Sequence, residues 1–189
     1  MNYNIQNEKV VFDDFFKIKK ATVEHDTFSG GAIEVERLCF ERGDAVAILL
    51  YEKDTQSFLF TKQFRYPATK EENPWLVEIT AGMLEGDEDP VYRVKKEVEE
   101  EIGYQVRHLE FINSSFVSPG GTSERIFLYY AEVLSQDKIA EGGGVDSEGE
   151  DIQLVKMDLN ELTTAYRSNA FRDAKTVMAI QWFLLHKKQ

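Results

Sequence analysis

Cysteine is almost absent from this sequence, which has one among its 189 residues. A single cysteine, Cys39, excludes an internal disulfide, and its apolar, strand-like surroundings predict a small buried side chain instead of a nucleophile. No apolar run reaches about 18 residues, which argues against a transmembrane helix. The first residues, MNYNIQNEKVVFDDFF, lack the basic and apolar regions of a signal peptide. These absences together predict a cytoplasmic protein.

Positive charge is also scarce in this chain. It has 22 lysines and arginines against 34 aspartates and glutamates, which gives a formal net charge of −12. This balance argues against a nucleic-acid partner, because a phosphate backbone would be repelled. It allows a small anionic substrate, since a bound metal ion and local arginines can reverse the sign of the charge at a site. The sequence has no internal repeat. Its 189 residues, of which 42% are hydrophobic, are enough for one domain with a sizeable core.

The most informative segment runs from Gly82 to Tyr104 and reads GMLEGDEDPVYRVKKEVEEEIGY. Asp89 and Pro90 predict the start of a helix, because aspartate accepts bonds from free backbone N–H groups and proline fits the first helical position. Gly103 predicts its end, since glycine tolerates the left-handed conformation found there. The valines of this helix fall on one apolar face, formed by Val91, Val94 and Val98.

The same helix gathers glutamates on a second face, Glu97, Glu100 and Glu101, while Glu99 points elsewhere. Like charges at this spacing repel by roughly a few tenths of a kcal/mol per pair in water, and burial strengthens the repulsion and raises their pKa values. A divalent cation removes this repulsion. Oxygen ligands without a Cys or His partner suit Mg²⁺, or alternatively Mn²⁺, and not Zn²⁺. The competing interpretation is an ordinary acidic face exposed to solvent.

The spacing of this segment resembles the Nudix box, G-x5-E-x7-R-E-U-x-E-E-x-G-U, in which U is a bulky apolar residue. Two positions depart from it: Lys96 stands where the family has arginine, and Tyr104 stands where it has an aliphatic residue. Tyr104 keeps the bulk of that position. The family arginine orients a catalytic carboxylate through a bidentate pair, whereas lysine offers a point charge. The resemblance therefore implies that Lys96 lowers the catalytic rate and does not abolish the function.

Apolar runs predict strands on both sides of the helix. Two of them, at 17–28 and 31–40, are joined at the glycine-rich turn Ser29-Gly30-Gly31. The others are predicted over 45–51, 58–64, 75–81, 108–117, 125–134 and 151–158, followed by a short helix from Leu159 and a last helix from Asp173 to about Lys187. Many strands with two or three helices predict a mixed α/β fold in which helices cover a sheet.

The Nudix resemblance implies an α-β-α sandwich for this fold, with residues 1–40 as an N-terminal strand extension and residues 41–189 as the hydrolase domain. Outside the box, the chain resembles the bacterial ADP-ribose pyrophosphatase and GDP-mannose pyrophosphatase group from about Phe15 to nearly the C-terminus. The segments that carry this resemblance are ERG at 41–43, QFR at 63–65, NPWLVEITAGM at 73–83, SPGGTSE at 118–124, GEDI at 149–152 and RDAKT at 172–176.

The resemblance implies Mg²⁺-dependent cleavage of the pyrophosphate bond of a nucleoside diphosphate sugar. The first expectation is ADP-ribose, giving AMP and ribose 5-phosphate, which is favoured by NPWLVE, SPGGTSER and AIQW, with GDP-mannose as the alternative; Pro119 has a placement that both groups share. GDP-mannose, giving GMP and mannose 1-phosphate, is favoured by GGGV and RDAKT. Three rival classes remain: a nucleotide-sugar sensor, an enzyme acting on capped RNA or a nucleoside triphosphate, and a metal-binding structural protein.

The resemblance also assigns the groups that hold the metal. They are the backbone carbonyl of Ala81 with Glu97, Glu101 and Glu150, assisted by Glu100. Glu150 lies in the acidic, glycine-rich segment 141–151, which composition alone places in a solvated surface loop. Two further glutamates match positions of the general base, Glu148 and Glu124, of which Glu148 is favoured.

Substrate contacts follow from the same resemblance. Arg37 and Arg65 match contacts to the pyrophosphate, where planar guanidinium groups bind phosphate oxygens in pairs. Phe15 matches a residue that stacks on the nucleobase, and Lys175 matches a further phosphate contact. The competing interpretations are surface ion pairs for the arginines and a core position for the phenylalanine. The resemblance further implies a homodimer in which residues 1–40 form the interface and complete the partner's site.

Overall fold

The chain divides into two structural units. The computed structural model describes residues 1–70, 72–145, 147 and 149–187. One unit contains Met1–Asp44 and Phe116–Arg125, and the other contains Ala45–Ser115 and Ile126–Gln189. The second unit includes the acidic helix, and it therefore contains most of the residues that the sequence predicts for the metal site.

The N-terminal unit is a three-stranded antiparallel sheet, β1 (Tyr3–Asp13), β2 (Lys17–Asp26) and β3 (Ala32–Glu41), in the order β1-β2-β3. The turn between β2 and β3 is closed by Thr27 N, which donates to Gly31 O at 3.0 Å. The sequence predicts β2 and β3 but misses β1. The residues of β1 are all exposed, and two register shifts interrupt its pairing, so its apolar residues follow no regular alternation.

The segment Phe116–Arg125 is attached to the end of β3 by hydrogen bonds to the backbone of Phe40. Phe40 N donates to Gly121 O at 2.8 Å, and the Thr122 hydroxyl donates to Phe40 O at 2.9 Å. Cys39 lies in the same part of β3 as a free, half-buried cysteine. Its side chain is therefore less buried than the sequence predicted. The cause is that this three-stranded sheet does not fully enclose the residues of β3 within its own unit.

The larger unit is built on a seven-stranded mixed sheet in the order β10-β5-β4-β9-β8, with β6 paired to β5 and β7 paired to β4. Its strands are β4 (Ala45–Glu52), β5 (Ser57–Phe64), β6 (Trp75–Glu78), β7 (Thr80–Met83), β8 (Glu110–Phe116), β9 (Arg125–Val133) and β10 (Gln153–Asp158). The central strand β4 runs parallel to β9 and antiparallel to β5 and β7.

Strand β4 has helices on both of its faces, because its successive side chains point in opposite directions. Ala47 and Leu49 pack in one core with residues of α2 (Leu159–Arg167) and α3 (Ala174–His186). Val46, Ile48 and Leu50 pack in a second core with α1 (Pro90–Ile102). The predicted mixed α/β fold with helices covering a sheet is therefore confirmed, and it is an α-β-α sandwich.

The ends of α1 follow the local signals in the sequence. Asp89 is the N-cap, and its side chain accepts a hydrogen bond from Tyr92 N at 2.8 Å, while Pro90 occupies the first helical position. Gly103 closes the helix with a φ of 76°, and its N–H donates to Glu99 O at 3.1 Å. Both predicted ends of α1 are confirmed.

None of the helices within the described residues combines the length and the apolar character needed to cross a membrane.

A buried carboxylate links three elements of the larger unit. Glu52 at the end of β4 is fully buried and accepts hydrogen bonds from the Tyr104 hydroxyl and from Lys156 Nζ, both at 2.6 Å, and from the Thr55 hydroxyl. Burial opposes ionisation, but the hydrogen bonds from Lys156, Thr55 and Tyr104 outweigh it and hold the pKa of Glu52 below its ordinary value. The polar group of Tyr104, unexpected at this position of the box, thus has a buried partner.

Replacing Tyr104 by phenylalanine tests this link. We expect Tyr104→Phe to lower the free energy of unfolding by about 1–2 kcal/mol at neutral pH, because Glu52 loses a buried donor. Since the folded pKa of Glu52 is depressed, its contribution is present above about pH 4.5 and is lost as the pH falls through the folded pKa. Urea denaturation at several pH values measures both effects. Tyr129→Phe is the control, and an equal loss in both variants would contradict the link.

Candidate active site

The carboxylates of α1 lie at different depths. Glu97 and Glu101 face inward beside Val94 and Val98, with 5% and 2% of their surface exposed. Glu100 keeps 27% of its side chain exposed. The valines and the two inner glutamates share one side of α1 because they recur at three- and four-residue spacings. The helix therefore buries two carboxylates together with its apolar face.

Charge repulsion is concentrated on these inner carboxylates. Burial raises the pKa of Glu101 well above its ordinary value, and the negative charges of Glu97 and Glu150 raise it further. Burial also raises the pKa of Glu97, although the Arg93 guanidinium beside it opposes the shift. The mutual influence of these groups places Glu97, Glu101 and Glu150 in one electrostatic cluster.

Gly82 provides the space in which the Glu97 side chain lies. Gly82 belongs to β7, which packs against α1 and pairs with β4, where Ala81 lies opposite Ala47. A Cβ built on Gly82 would overlap the carboxylate of Glu97. Glycine is therefore required here by volume, and the neighbouring Ala81 is held in the strand that borders the carboxylate cluster.

The loop after residue 140 closes the C-terminal end of α1. Gly143 N donates to Glu101 O at 2.8 Å, and Gly144 N donates to Glu100 O at 3.1 Å, which satisfies two carbonyls that the helix leaves free. The Glu150 carboxylate folds back onto this loop and accepts from Val145 N at 3.0 Å. A Cβ on Gly144 would lie 2.7 Å from Glu150 Oε2. These contacts place Glu150 on the loop that covers the end of α1, within electrostatic reach of Glu97 and Glu101. Glu148 lies outside the described residues.

The chemistry of this cluster fits a hard divalent cation. Glu101 Oε2 is buried and has no hydrogen-bond partner among the residues that the structure describes. The available donors are oxygens only, which suits Mg²⁺ or Mn²⁺. Within the described part of the chain, no three carboxylate, imidazole or thiolate groups form a complete metal site, so the side chains must draw together to coordinate an ion. The groups that can do so are the Ala81 carbonyl, Glu97, Glu101 and Glu150.

Arg65 and Lys175 lie together in the larger unit because both bind Glu78. Arg65 Nε and Nη2 donate to the two Glu78 oxygens at 3.1 and 2.9 Å, and Lys175 Nζ donates to Glu78 Oε2 at 2.9 Å. Burial would raise the pKa of Glu78, but the hydrogen bond from Arg65 and the charges of both cations outweigh it and lower the pKa. Glu101 also contributes electrostatically to the raised pKa of Arg65. The Arg65 guanidinium is therefore within electrostatic reach of Glu101, and Lys175 shares the partner Glu78 with it.

The sequence did not single out Glu78, which is 3% exposed and is the last residue of β6. A signal was present, because a glutamate flanked by the apolar residues of WLVEIT has to be paired if it is buried. The sequence did not identify its partners, since Arg65 and Lys175 are 13 and 97 residues away.

The other predicted site residues belong to the N-terminal unit. Phe15 is 81% exposed and its ring meets Phe16 edge-on at 4.6 Å, so it is not a core residue of that unit. Arg37 is exposed on β3 and donates to the backbone carbonyl of Glu36 at 2.9 Å. Glu124 is paired with Arg42 at 3.4 Å. The structure gives each of these residues a local environment within its own unit.

The fold is shared with a solved hydrolase. The crystal structure of an ADP compounds hydrolase superposes on this chain with a TM-score of 0.74 at 17% sequence identity, and the match covers 100% of this chain and 98% of that one. At this identity the likeness shows the fold alone, which defines the class of α/β sandwich to which the chain belongs.

Sequence comparison identifies the family within this class. A GDP-mannose pyrophosphatase from Cronobacter sakazakii is 33% identical over 183 residues, which cover 96% of this chain and 94% of that protein. Another from Citrobacter koseri is 32% identical and covers 93% and 91%. The NUDIX domain matches residues 41–179. The chain belongs to the Nudix family, as the spacing of Gly82–Tyr104 predicted, and it is a hydrolase.

Neutralising one inner carboxylate tests the repulsion in the cluster. Because the folded pKa of Glu101 lies above its ordinary value of 4.5, the metal-free protein loses stability as the pH rises from that value through the folded pKa. We expect Glu101→Gln to raise the stability of the EDTA-treated protein at neutral pH by about 1 kcal/mol, or roughly 2–4 °C in Tm.

Calorimetry with and without Mg²⁺ measures this change. The Mg²⁺-induced rise in Tm should disappear in Glu101→Gln, because the variant lacks a ligand. Glu99→Gln on the exposed side of α1 is the matched control and should behave like the unaltered protein. A lower Tm of Glu101→Gln in EDTA would show that the carboxylate stabilises the metal-free fold and would contradict the repulsion.

Proposed function

We propose that this chain is a Mg²⁺-dependent pyrophosphatase that hydrolyses a nucleoside diphosphate sugar to a nucleoside monophosphate and a sugar phosphate. The observation that carries the proposal is the buried, mutually repelling cluster of Glu97, Glu101 and Glu150. Glu101 Oε2 has no hydrogen-bond partner within the described residues, and all the donors of the cluster are oxygens. Such a cluster, with Arg65 within electrostatic reach of Glu101, suits cations bound together with a pyrophosphate.

Each group has a role in this reaction. The Ala81 carbonyl, Glu97, Glu101 and Glu150 hold the cations, and Glu100 assists at the rim of the cluster. Bound Mg²⁺ would neutralise the pyrophosphate and lower the pKa of the attacking water. A glutamate takes the proton of that water, and we assign this to Glu148, with Glu124 as the alternative. The water oxygen bonds to one phosphorus as the bridging oxygen leaves with the other.

Substrate contacts are assigned by charge and shape. Arg65 offers a planar guanidinium within electrostatic reach of Glu101, and Lys175 offers an ammonium group that shares the partner Glu78 with it. Arg37 and Phe15 in the N-terminal unit are assigned to the pyrophosphate and the nucleobase of the substrate. The high exposure of the Phe15 ring supports a stacking role, because a ring held in a core would be unable to meet a base.

The first candidate substrate is GDP-mannose, and the second is ADP-ribose. Relatives named GDP-mannose pyrophosphatase match this chain at 33% and 32% identity over more than nine-tenths of its length. This similarity covers far more of the chain than NPWLVE and SPGGTSER, the short segments that favour ADP-ribose. A nucleotide-sugar sensor is less well supported, because binding alone does not require the buried carboxylates.

A hydrolysis panel tests the proposal. GDP-mannose, ADP-ribose, another nucleotide sugar, GTP and a capped dinucleotide are each incubated with Mg²⁺, and the nucleotides are separated by chromatography. We expect GMP from GDP-mannose at the highest rate, no reaction in EDTA, and a loss of about three orders of magnitude or more in kcat for Glu101→Gln. Glu99→Gln serves as the control.

Each alternative class has its own outcome in this panel. Binding of a nucleotide sugar without turnover would identify a sensor. Faster cleavage of the capped dinucleotide or GTP would move the protein to another class of Nudix substrate. If no nucleotide is cleaved faster by the unaltered protein than by Glu101→Gln, the proposed enzyme function is wrong.

We also propose that the protein is a homodimer in which residues 1–40 form the interface and residues 41–189 form the hydrolase domain. The support is the exposure of β1, every residue of which is exposed within the chain. Its apolar side chains are about half exposed, which is typical of a surface that another protein covers, and they include Ile5, Val10, Val11 and Phe12.

The dimer predicts a solution mass of about twice 21.8 kDa. Light scattering coupled to size exclusion at micromolar concentration measures it. Phe12→Asp should shift the mass toward the monomer, because a charge would be buried in the interface. Gln105→Glu, an exposed change of the same charge outside residues 1–40, is the control for altered charge alone. A mass near 21.8 kDa for the unaltered protein would contradict the shared interface.

A further inference from the structure

Arg93 is the cation that contacts the inner carboxylate Glu97. Its Nη2 forms an ion pair with Glu97 Oε1, and only 9% of the Arg93 surface is exposed. Lys96, which follows three residues later, is exposed and its Nζ pairs with Glu100 Oε1 at 3.2 Å. We infer that Arg93 is the residue that positions Glu97 for metal binding, and that Lys96 does not have this role.

Helix geometry explains why Arg93 reaches Glu97 and Lys96 does not. Residues four apart lie on the same side of a helix, whereas consecutive residues are separated by about 100° around it. Arg93 is four residues before Glu97 and shares its buried side, whereas Lys96 is adjacent to Glu97 in sequence. Lys96 is instead four residues before Glu100, which is the carboxylate that it binds. The two cations thus serve two different glutamates.

The Glu97 carboxylate lies between the Gly82 backbone and the Arg93 guanidinium. On one side the backbone of Gly82 approaches so closely that a Cβ would overlap the carboxylate. The Arg93 guanidinium binds the Oε1 atom of the same carboxylate. The Glu97 carboxylate is therefore held from two directions, by the close backbone of β7 and by the guanidinium of α1.

The Arg93 guanidinium has a second N–H donor, Nε, in the protein interior. Arg93 Nε is buried and has no hydrogen-bond partner in the part of the chain that the structure describes. A lysine at this position would have no equivalent fork of donors. The second donor lets the guanidinium stay bound to Glu97 when its carboxylate turns to coordinate an ion. Arg93 is therefore a positioning residue that acts through Glu97, and this inference rests on the metal site of the proposed function.

The test compares Arg93 and Lys96 with Lys95, a third cation of α1. Binding of Mn²⁺ without substrate is followed by the electron paramagnetic resonance signal of free Mn²⁺, for the unaltered protein and for Arg93→Met, Lys96→Met and Lys95→Met. Lys95 is the matched control, since it lies on the same helix and its Nζ contacts the backbone carbonyl of Arg107. We expect Arg93→Met to weaken Mn²⁺ binding about 10- to 100-fold, as loss of a partner that orients a ligand does elsewhere.

Activity measurements distinguish positioning from substrate binding. With Mg²⁺ and the nucleotide sugar that is cleaved fastest, Arg93→Met should lower kcat with little change in KM, and Arg93→Lys should recover part of the loss. Lys96→Arg should leave kcat within about twofold of the unaltered protein, because Glu97 already has its arginine. A merely structural role of Arg93 would lower stability without this separation of kcat from KM.

Several results would overturn the inference. One is Mn²⁺ binding by Arg93→Met that equals that of Lys95→Met, and another is a larger loss in Lys96→Met than in Arg93→Met. If Arg93→Met fails to fold by circular dichroism, Arg93→Lys decides the question, and unchanged Mn²⁺ affinity in that variant overturns the inference. A protein that binds no Mn²⁺ in its unaltered form would overturn the proposed metal site as well, which separates the two failures.

Discussion

Helix α1 has to pack against the central sheet with the same side that carries ionisable groups. Val94 and Val98 exclude water from that side, and Glu97 and Glu101 lie beside them. Much of the neighbouring structure accommodates this conflict. The missing side chain of Gly82 leaves volume for one carboxylate, the 143–144 backbone covers the helix end, and Arg93 supplies a positive charge. The helix keeps its apolar packing while its carboxylates stay close enough to share a ligand.

Local signals predicted the parts of this structure that depend on neighbouring residues. The start and end of α1 follow from Asp89, Pro90 and Gly103, because capping involves atoms a few residues apart. The strand β1 escaped prediction because its exposed residues lack a buried face. Local sequence patterns also could not predict the parallel pairing of β4 with β9, since β5, β6, β7, α1 and β8 lie between the two strands in sequence.

Prediction of the candidate active site was limited in the same way, to residues close together in sequence. Spacing placed Glu97 and Glu101 on a common face, and resemblance added Ala81 and Glu150. The choice of ion-pair partners was not predictable, because it depends on which side chains are buried together. Sequence drew attention to Lys96 at a box position, whereas burial selects Arg93 one turn from Glu97. Glu78 was missed for a related reason, since its two cations come from distant segments.

The pairing of Arg65 and Lys175 with one buried glutamate has a consequence for turnover. Arg65 donates from Nε and Nη2 to Glu78, so other N–H donors of its guanidinium are left for a phosphate group in the proposed reaction. The charge of Glu78 partly neutralises both cations, which lowers the affinity that they would give to such a group. In the proposed reaction these residues would therefore release phosphorylated products readily, because Glu78 continues to pair with both cations after the products leave.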